Sequence, residues 1–126
     1  MVMRNAKSVH YFQIDHRIKN ISRAEGIEIL PAKLTWERYS WTQKYFLTKP
    51  KEGYFIWVKK QINFPLLTCI SVAQKNTKQE LRNLIIIEKK LNIKIRGTCN
   101  AQKRNLCSFH KAQGKIILKE GSTLKY

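Results

Sequence analysis

FPLLTCISVAQKNTKQELRNLIIIEKKLNIKIRGTCNAQKRNLCSFHKAQGKIILKEGSTLKY, residues 64–126, sets short apolar runs between turn-like breaks. Leu84 to Glu88 is an almost unbroken apolar run, Ile93 and Ile95 alternate with Lys94 and Arg96, and Ile116 to Leu118 is apolar again. Each run has the length of a strand rather than a helix. The breaks at Gln74 to Thr77, Lys89 to Asn92 and Lys119 to Ser122 separate them, and Thr123 to Tyr126 forms a last short strand. Strand centres therefore recur at intervals of about ten residues, the spacing of a β-sandwich, barrel or solenoid. The connections lack the Asn-Gly and Asp-Gly pairs of tight hairpins, and consecutive apolar positions suit strands covered on both faces. Both features favour a solenoid.

Outward from this core, Tyr54 to Val58 reads as a further strand following Gly53, and Lys59 to Asn63 as its basic exit. Residues 26–52 are expected to hold a short strand, Gly26 to Leu30, stopped by Pro31, then an amphipathic helix capped by Thr35. On that helix Leu34, Trp41, Tyr45 and Phe46 are expected to share an aromatic face, a pattern more often core than binding platform. Residues 1–25 are polar and weakly patterned, and are expected to form a flexible or extended arm. His10 and His16 stand there without ligand-type neighbours at a metal-binding spacing, so both read as ordinary solvent-facing side chains.

The 126 residues suit one domain with a modest core. Twenty-five Lys and Arg against eight Asp and Glu give a net charge of +17, which implies attraction to polyanions or a solvated basic surface. Three cysteines without a secretory signal point to a reducing, cytoplasmic compartment. Nowhere do eighteen apolar residues run together, so no membrane span is expected.

Several segments carry a family resemblance. They are Phe64-Pro65-Leu66-Leu67-Thr68, Glu80-Leu81-Arg82-Asn83-Leu84-Ile85-Ile86-Ile87, Gly97-Thr98-Cys99-Asn100-Ala101, Ser108-Phe109-His110 and Glu120 to Tyr126. In this order and spacing they resemble the SufB/SufD family, the scaffold proteins of SUF iron-sulfur cluster assembly. The likeness covers Gly53 to Tyr126 well and Ile27 to Phe46 loosely, the N-terminal and early core part of the family pattern. It implies a mainly β fold with a short N-terminal helix, in which residues 53–126 form part of a right-handed parallel β-helix. The pattern's later strands, its second functional cysteine and its C-terminal helices have no counterpart here. A truncated or split member, or a fragment, is therefore expected.

By the same resemblance Cys99 matches the cysteine that accepts sulfur as a persulfide, making it the candidate sulfur acceptor or cluster-binding residue. Its neighbours Arg96, Lys103 and Arg104 would favour a thiolate. Cys107 and His110 are secondary candidates, since Cys99-x7-Cys107-x2-His110 brings soft ligands close in sequence, with Cys69 available as a fourth. That spacing is not a regular zinc pattern, a buried inert thiol and a locally bonded histidine remain the ordinary alternatives, and any bound metal stays open. Four positions depart from the pattern: Arg96 where the family has Glu, Gln102 where it has Pro, and Ser71 and Ala73 where SufB has Arg and Asn.

Function is therefore expected to be that of a non-enzymatic component of iron-sulfur cluster assembly. The cluster would be transient, and the partners a SufC-type ATPase and a second SufB/SufD-type subunit. The alternatives are a basic nucleic-acid-binding module, using Trp36, Trp41 and Tyr45 for stacking, or an inactive fragment.

Overall fold

The computed structural model describes residues 9–101 and 109–126. In chain order the elements are β1 (Val9–Ile14), β2 (Arg17–Ile21), β3 (Ile27–Pro31), α1 (Ala32–Arg38), a 3-10 turn (Ser40–Thr42) and α2 (Gln43–Phe46). Then follow β4 (Tyr54–Val58), β5 (Leu66–Val72), β6 (Lys78–Ile87), β7 (Asn92–Ala101), β8 (Phe109–Leu118) and β9 (Thr123–Lys125). The fold is mainly β, as expected, with mixed parallel and antiparallel pairing.

Two sheets contain all the named strands: β2-β1-β5-β7-β9 and β3-β4-β6-β8. From β4 onward the chain crosses between them at every turn, and from β6 onward each strand pairs in parallel with the one two before it. Phe55 lies beside Leu84, 29 positions on, and Lys78 beside Phe109, 31 positions on. The corners stack with the strands. Lys90 and Gly121 both hold positive φ at the same point of successive circuits, and the Lys90 N–H donates to the Glu120 carbonyl at 2.9 Å. Antiparallel pairs, β1 with β2 and β3 with β4, occupy the opposite side of the stack.

The facing sides of the sheets bury Tyr11, Tyr54, Ile56, Leu66, Leu81, Ile85, Ile87, Ile93 and Ile95. A second cluster covers the other face of β4 and β6, where Ala32 and Phe46 from the helical segment pack on Phe55, Leu84 and Ile86. Two-sided burial is the physical reason that Tyr54 to Val58 and Leu84 to Ile87 read as unbroken apolar runs. Gly53 is required at the entry to β4. With φ at +129°, a Cβ there would come within 1.9 Å of the Arg82 carbonyl oxygen.

Two segments, the N-terminal one and the helical one, depart from expectation. Residues 9–21 are not an extended arm: β1 and β2 form a hairpin, and β1 pairs in parallel with β5. Val9, Tyr11 and Gln13 are buried on alternate positions, a strand pattern masked because the third inward residue is an amide. Asp15 makes the turn, with φ at 54°, and its carboxylate accepts from the N–H groups of Ala73 and Gln74 at 2.8 and 3.2 Å.

The single helix is instead broken in two around the 3-10 turn. Thr35 lies inside α1, where its hydroxyl donates to the Pro31 carbonyl rather than capping the helix. The Thr42 hydroxyl donates to the Tyr39 carbonyl at 2.6 Å, helping to close the break. Phe46 is buried as expected, but Leu34 and Trp41 are exposed. Among the described residues no helix is long and apolar enough to cross a membrane.

Candidate functional site

Cys99 lies on β7, where its backbone is in register with Ile70 of β5, which is itself in register with Gln13 of β1. Two residues earlier, Gly97 stands beside Thr68, whose hydroxyl would lie 3.0 Å from any Cβ placed there. Thr68, Ile70 and Gly97 border a cavity of about 310 Å³ between the sheets, shared with Tyr54, Ala112 and Gly114. The backbone that carries Cys99 therefore runs along a recess of the interior.

Cys107 falls outside the described residues. Cys69 is a free thiol, half-buried and in register with Phe12 and Thr98, one position away from the row of Cys99. Among the described residues no three His, Cys, Asp or Glu side chains converge as a metal-binding group. At the departures Ser71 and Ala73 the bonds are made by the backbone, which any residue there would supply: the Ser71 carbonyl accepts from Gln79 at 3.3 Å, and the Ala73 N–H donates to Asp15 at 2.8 Å.

His110 stands on β8 in register with Gln79 of β6. Gln79 is fully buried, and its amide nitrogen donates to the Asp15 carbonyl at 2.6 Å and to that of Ser71. Two carbonyls thus fix which end of the amide is nitrogen, and its oxygen faces His110 Nδ1 at 2.6 Å. Nδ1 must then be the protonated donor, so that in the neutral ring the lone pair lies on Nε2, the nitrogen through which such a histidine would bind a metal.

The same arrangement continues across the interior. Gln13, also buried, donates to the Asp15 carbonyl at 2.8 Å and to Glu52 at 2.7 Å, while the Tyr11 hydroxyl donates to its oxygen. Glu52 also meets the exposed His16. Burial, reinforced by the Glu52 charge, pushes the Tyr11 phenol well above its ordinary value. A polar relay from Tyr11 through Gln13, the Asp15 carbonyl and Gln79 to His110 thus fills one end of an otherwise apolar interior. Sequence reading missed it. The available signal was parity, because Gln79 shares its side of β6 with the buried Leu81 and Ile85.

Of the aromatic residues expected as a stacking platform, Trp36 packs on Phe46, with ring centres 6.5 Å apart, and Trp41 joins a cluster with residues outside that set. Tyr39, Trp41, Phe55 and Trp57 lie with ring centres 5.3–6.4 Å apart. Lys59 sits 4.3 Å over the Trp57 ring and pairs with Glu28, which accepts from the Tyr39 hydroxyl. Glu88 accepts from Trp57 and pairs with Lys119. Burial tends to raise the Glu88 carboxyl, but these hydrogen bonds outweigh it and hold the group below the usual carboxylate range. With its lysines answered by carboxylates, this cluster is poorly suited to phosphates.

No family model matches the chain. It is similar to an iron-sulfur cluster assembly SufBD family protein of Archaeoglobus fulgidus, 23% identical over 141 aligned positions that cover 98% of this chain and 38% of that protein. It is also similar to a protein of the same description from Methanothermobacter thermautotrophicus, 25% identical over 138 positions covering 92% of this chain and 34% of the relative. The chain thus spans little more than a third of the length of these relatives. The likeness agrees with the SufB/SufD resemblance carried by the motifs.

Proposed function

We propose that the chain is a SufB/SufD-type component of iron-sulfur cluster assembly, acting as a scaffold rather than as an enzyme. The observation that carries this reading is the similarity to two SufBD relatives along nearly the whole chain. The parallel stacking of β4 to β9 in circuits of 29 to 31 residues supports a partial β-helix as its architecture.

In this reading Cys99 receives sulfur. Its thiolate attacks the outer sulfur of a protein persulfide, the donor's sulfur–sulfur bond breaks, and the donor cysteine leaves as a thiolate. Cys99 is left as a persulfide with no net oxidation. The cluster is cargo assembled with partner subunits. His110, held by Gln79 with Nε2 as acceptor, is a secondary ligand, and Cys107 another. An ATPase of SufC type and a second SufB/SufD-type subunit are the proposed partners, in a cytoplasmic complex.

The test is co-expression with such an ATPase and a full-length SufB/SufD homologue, followed by pull-down and mass spectrometry of Cys99. Co-purification with a persulfide that disappears in Cys99→Ser is the expected result. Failure to co-purify, or sulfur loading indifferent to Cys99→Ser, overturns the reading.

A further inference from the structure

The outer side of β6 and β8 carries a feature unrelated to the cysteines. Two recesses of about 260 and 280 Å³ meet there, sharing Arg82 and Gln113. The first is lined by Lys49, Lys51 and Lys111, and the second by Lys115. Glu80 is the one acidic residue in either lining. It pairs with Lys78 at 3.7 Å, while Lys49 reaches Glu37 at 3.1 Å. Among the described residues Lys51, Arg82, Lys111 and Lys115 form no salt bridge with a carboxylate. Arg82 is anchored by donating through Nη1 to the Phe46 carbonyl at 3.1 Å, which leaves other guanidinium N–H groups for a ligand.

The spacing is that of a row. Lys111 and Lys115 lie four residues apart on one strand, about 13 Å by strand rise, with Arg82 in register with Gln113 between them. A single phosphate needs converging donors, whereas a row of separated cations suits a flexible chain of regularly placed anions. We propose that this groove binds single-stranded nucleic acid through its phosphates. The charge of +17 supplies the long-range attraction. Of the two aromatic rings in the lining, Phe46 is buried in the second apolar cluster, and Tyr45 packs against that cluster with Lys44 5.1 Å from its centre. Binding is accordingly indifferent to base sequence.

Fluorescence anisotropy of the full chain with a labelled single-stranded oligonucleotide, over a salt series, tests this. Contacts from Lys51, Arg82, Lys111 and Lys115 give a slope of log affinity against log salt of about −3. Lys111→Gln with Lys115→Gln makes the slope shallower by about 1 to 1.5. Lys111→Arg with Lys115→Arg retains binding, separating loss of charge from loss of fold. An unchanged slope in the glutamine pair overturns the proposal. So does an equal loss on neutralising Lys19 and Lys94, which lie on the other sheet. Displacement by polyglutamate as effective as by an unlabelled strand would reassign the groove to an acidic protein. Because neither Cys99 nor His110 is altered, the outcome is independent of the sulfur-acceptance reading.

Discussion

β6 and β8 are ten residues each and pair in parallel at every position, yet β6 is buried along its apolar half on both faces while β8 is exposed almost throughout. Ile85 and Ile116 face each other in register at 2% and 40% exposure. The difference does not come from strand propensity, since both are isoleucine in the same pairing. It comes from what lies beyond. β6 has β4 on its other edge and the helical segment over it, whereas β8 is an edge strand. In this stack a strand's stability is conferred by its neighbours.

The sharpest way to break that comparison is to truncate the matched pair. Ile85→Ala should cost about 3 kcal/mol and Ile116→Ala less than about 1, read by chemical denaturation. Equal costs would mean that β8 is covered in solution. At the other end of the two strands, Gln79→Leu takes one of two donors from each of two interior carbonyls, which keep Gln13 and the Asp15 N–H, and removes the acceptor of His110 Nδ1; it should cost about 1–2 kcal/mol. The same substitution should release the His110 ring to both neutral tautomers, visible in its nitrogen NMR shifts. A fixed tautomer in the variant would show that Gln79 does not position the ring.

The polar end also sets an alkaline limit. Tyr11 holds its proton more tightly when folded than when unfolded, so its contribution is complete below the unfolded value of about 10 and is lost as pH rises beyond it. Stability measured across that range should fall, and Tyr11→Phe should flatten the slope. Glu88, beyond the apolar end of β6, has the opposite sign. Its carboxyl is held low in the folded state, so its contribution is present above about 4.3 and disappears on acidification through the folded value. Glu88→Gln should cost less than about 1 kcal/mol, with a change in Trp57 fluorescence as the local readout.

The same contrast explains what could be read from the sequence. Leu84 to Ile87 was legible as a strand because both of its faces are buried. Of β8, Ile116 to Leu118 was legible, while Phe109 to Lys115 carries no apolar period and is a strand through its register with β6. β1 was hidden because its third inward residue is Gln13, acceptable in the interior only with Tyr11, Glu52 and the Asp15 carbonyl as partners. At the candidate site, Cys99 and His110 stood out by residue type. Gln79 did not, because a glutamine reveals its role only when the strand opposite is known. The recess beside Gly97 joins residues of β4, β5, β6, β7 and β8, and no local pattern could foretell it.

The stacked corners at Lys90 and Gly121 bear on how such a chain can change over evolutionary time. A one-residue insertion within a strand would turn half of its side chains to the wrong side and displace every corner after it. Copying or deleting a whole circuit of about thirty residues, the parallel-strand repeat, keeps each corner above its predecessor. Duplication of complete turns is therefore the kind of length change that this architecture inherits most easily.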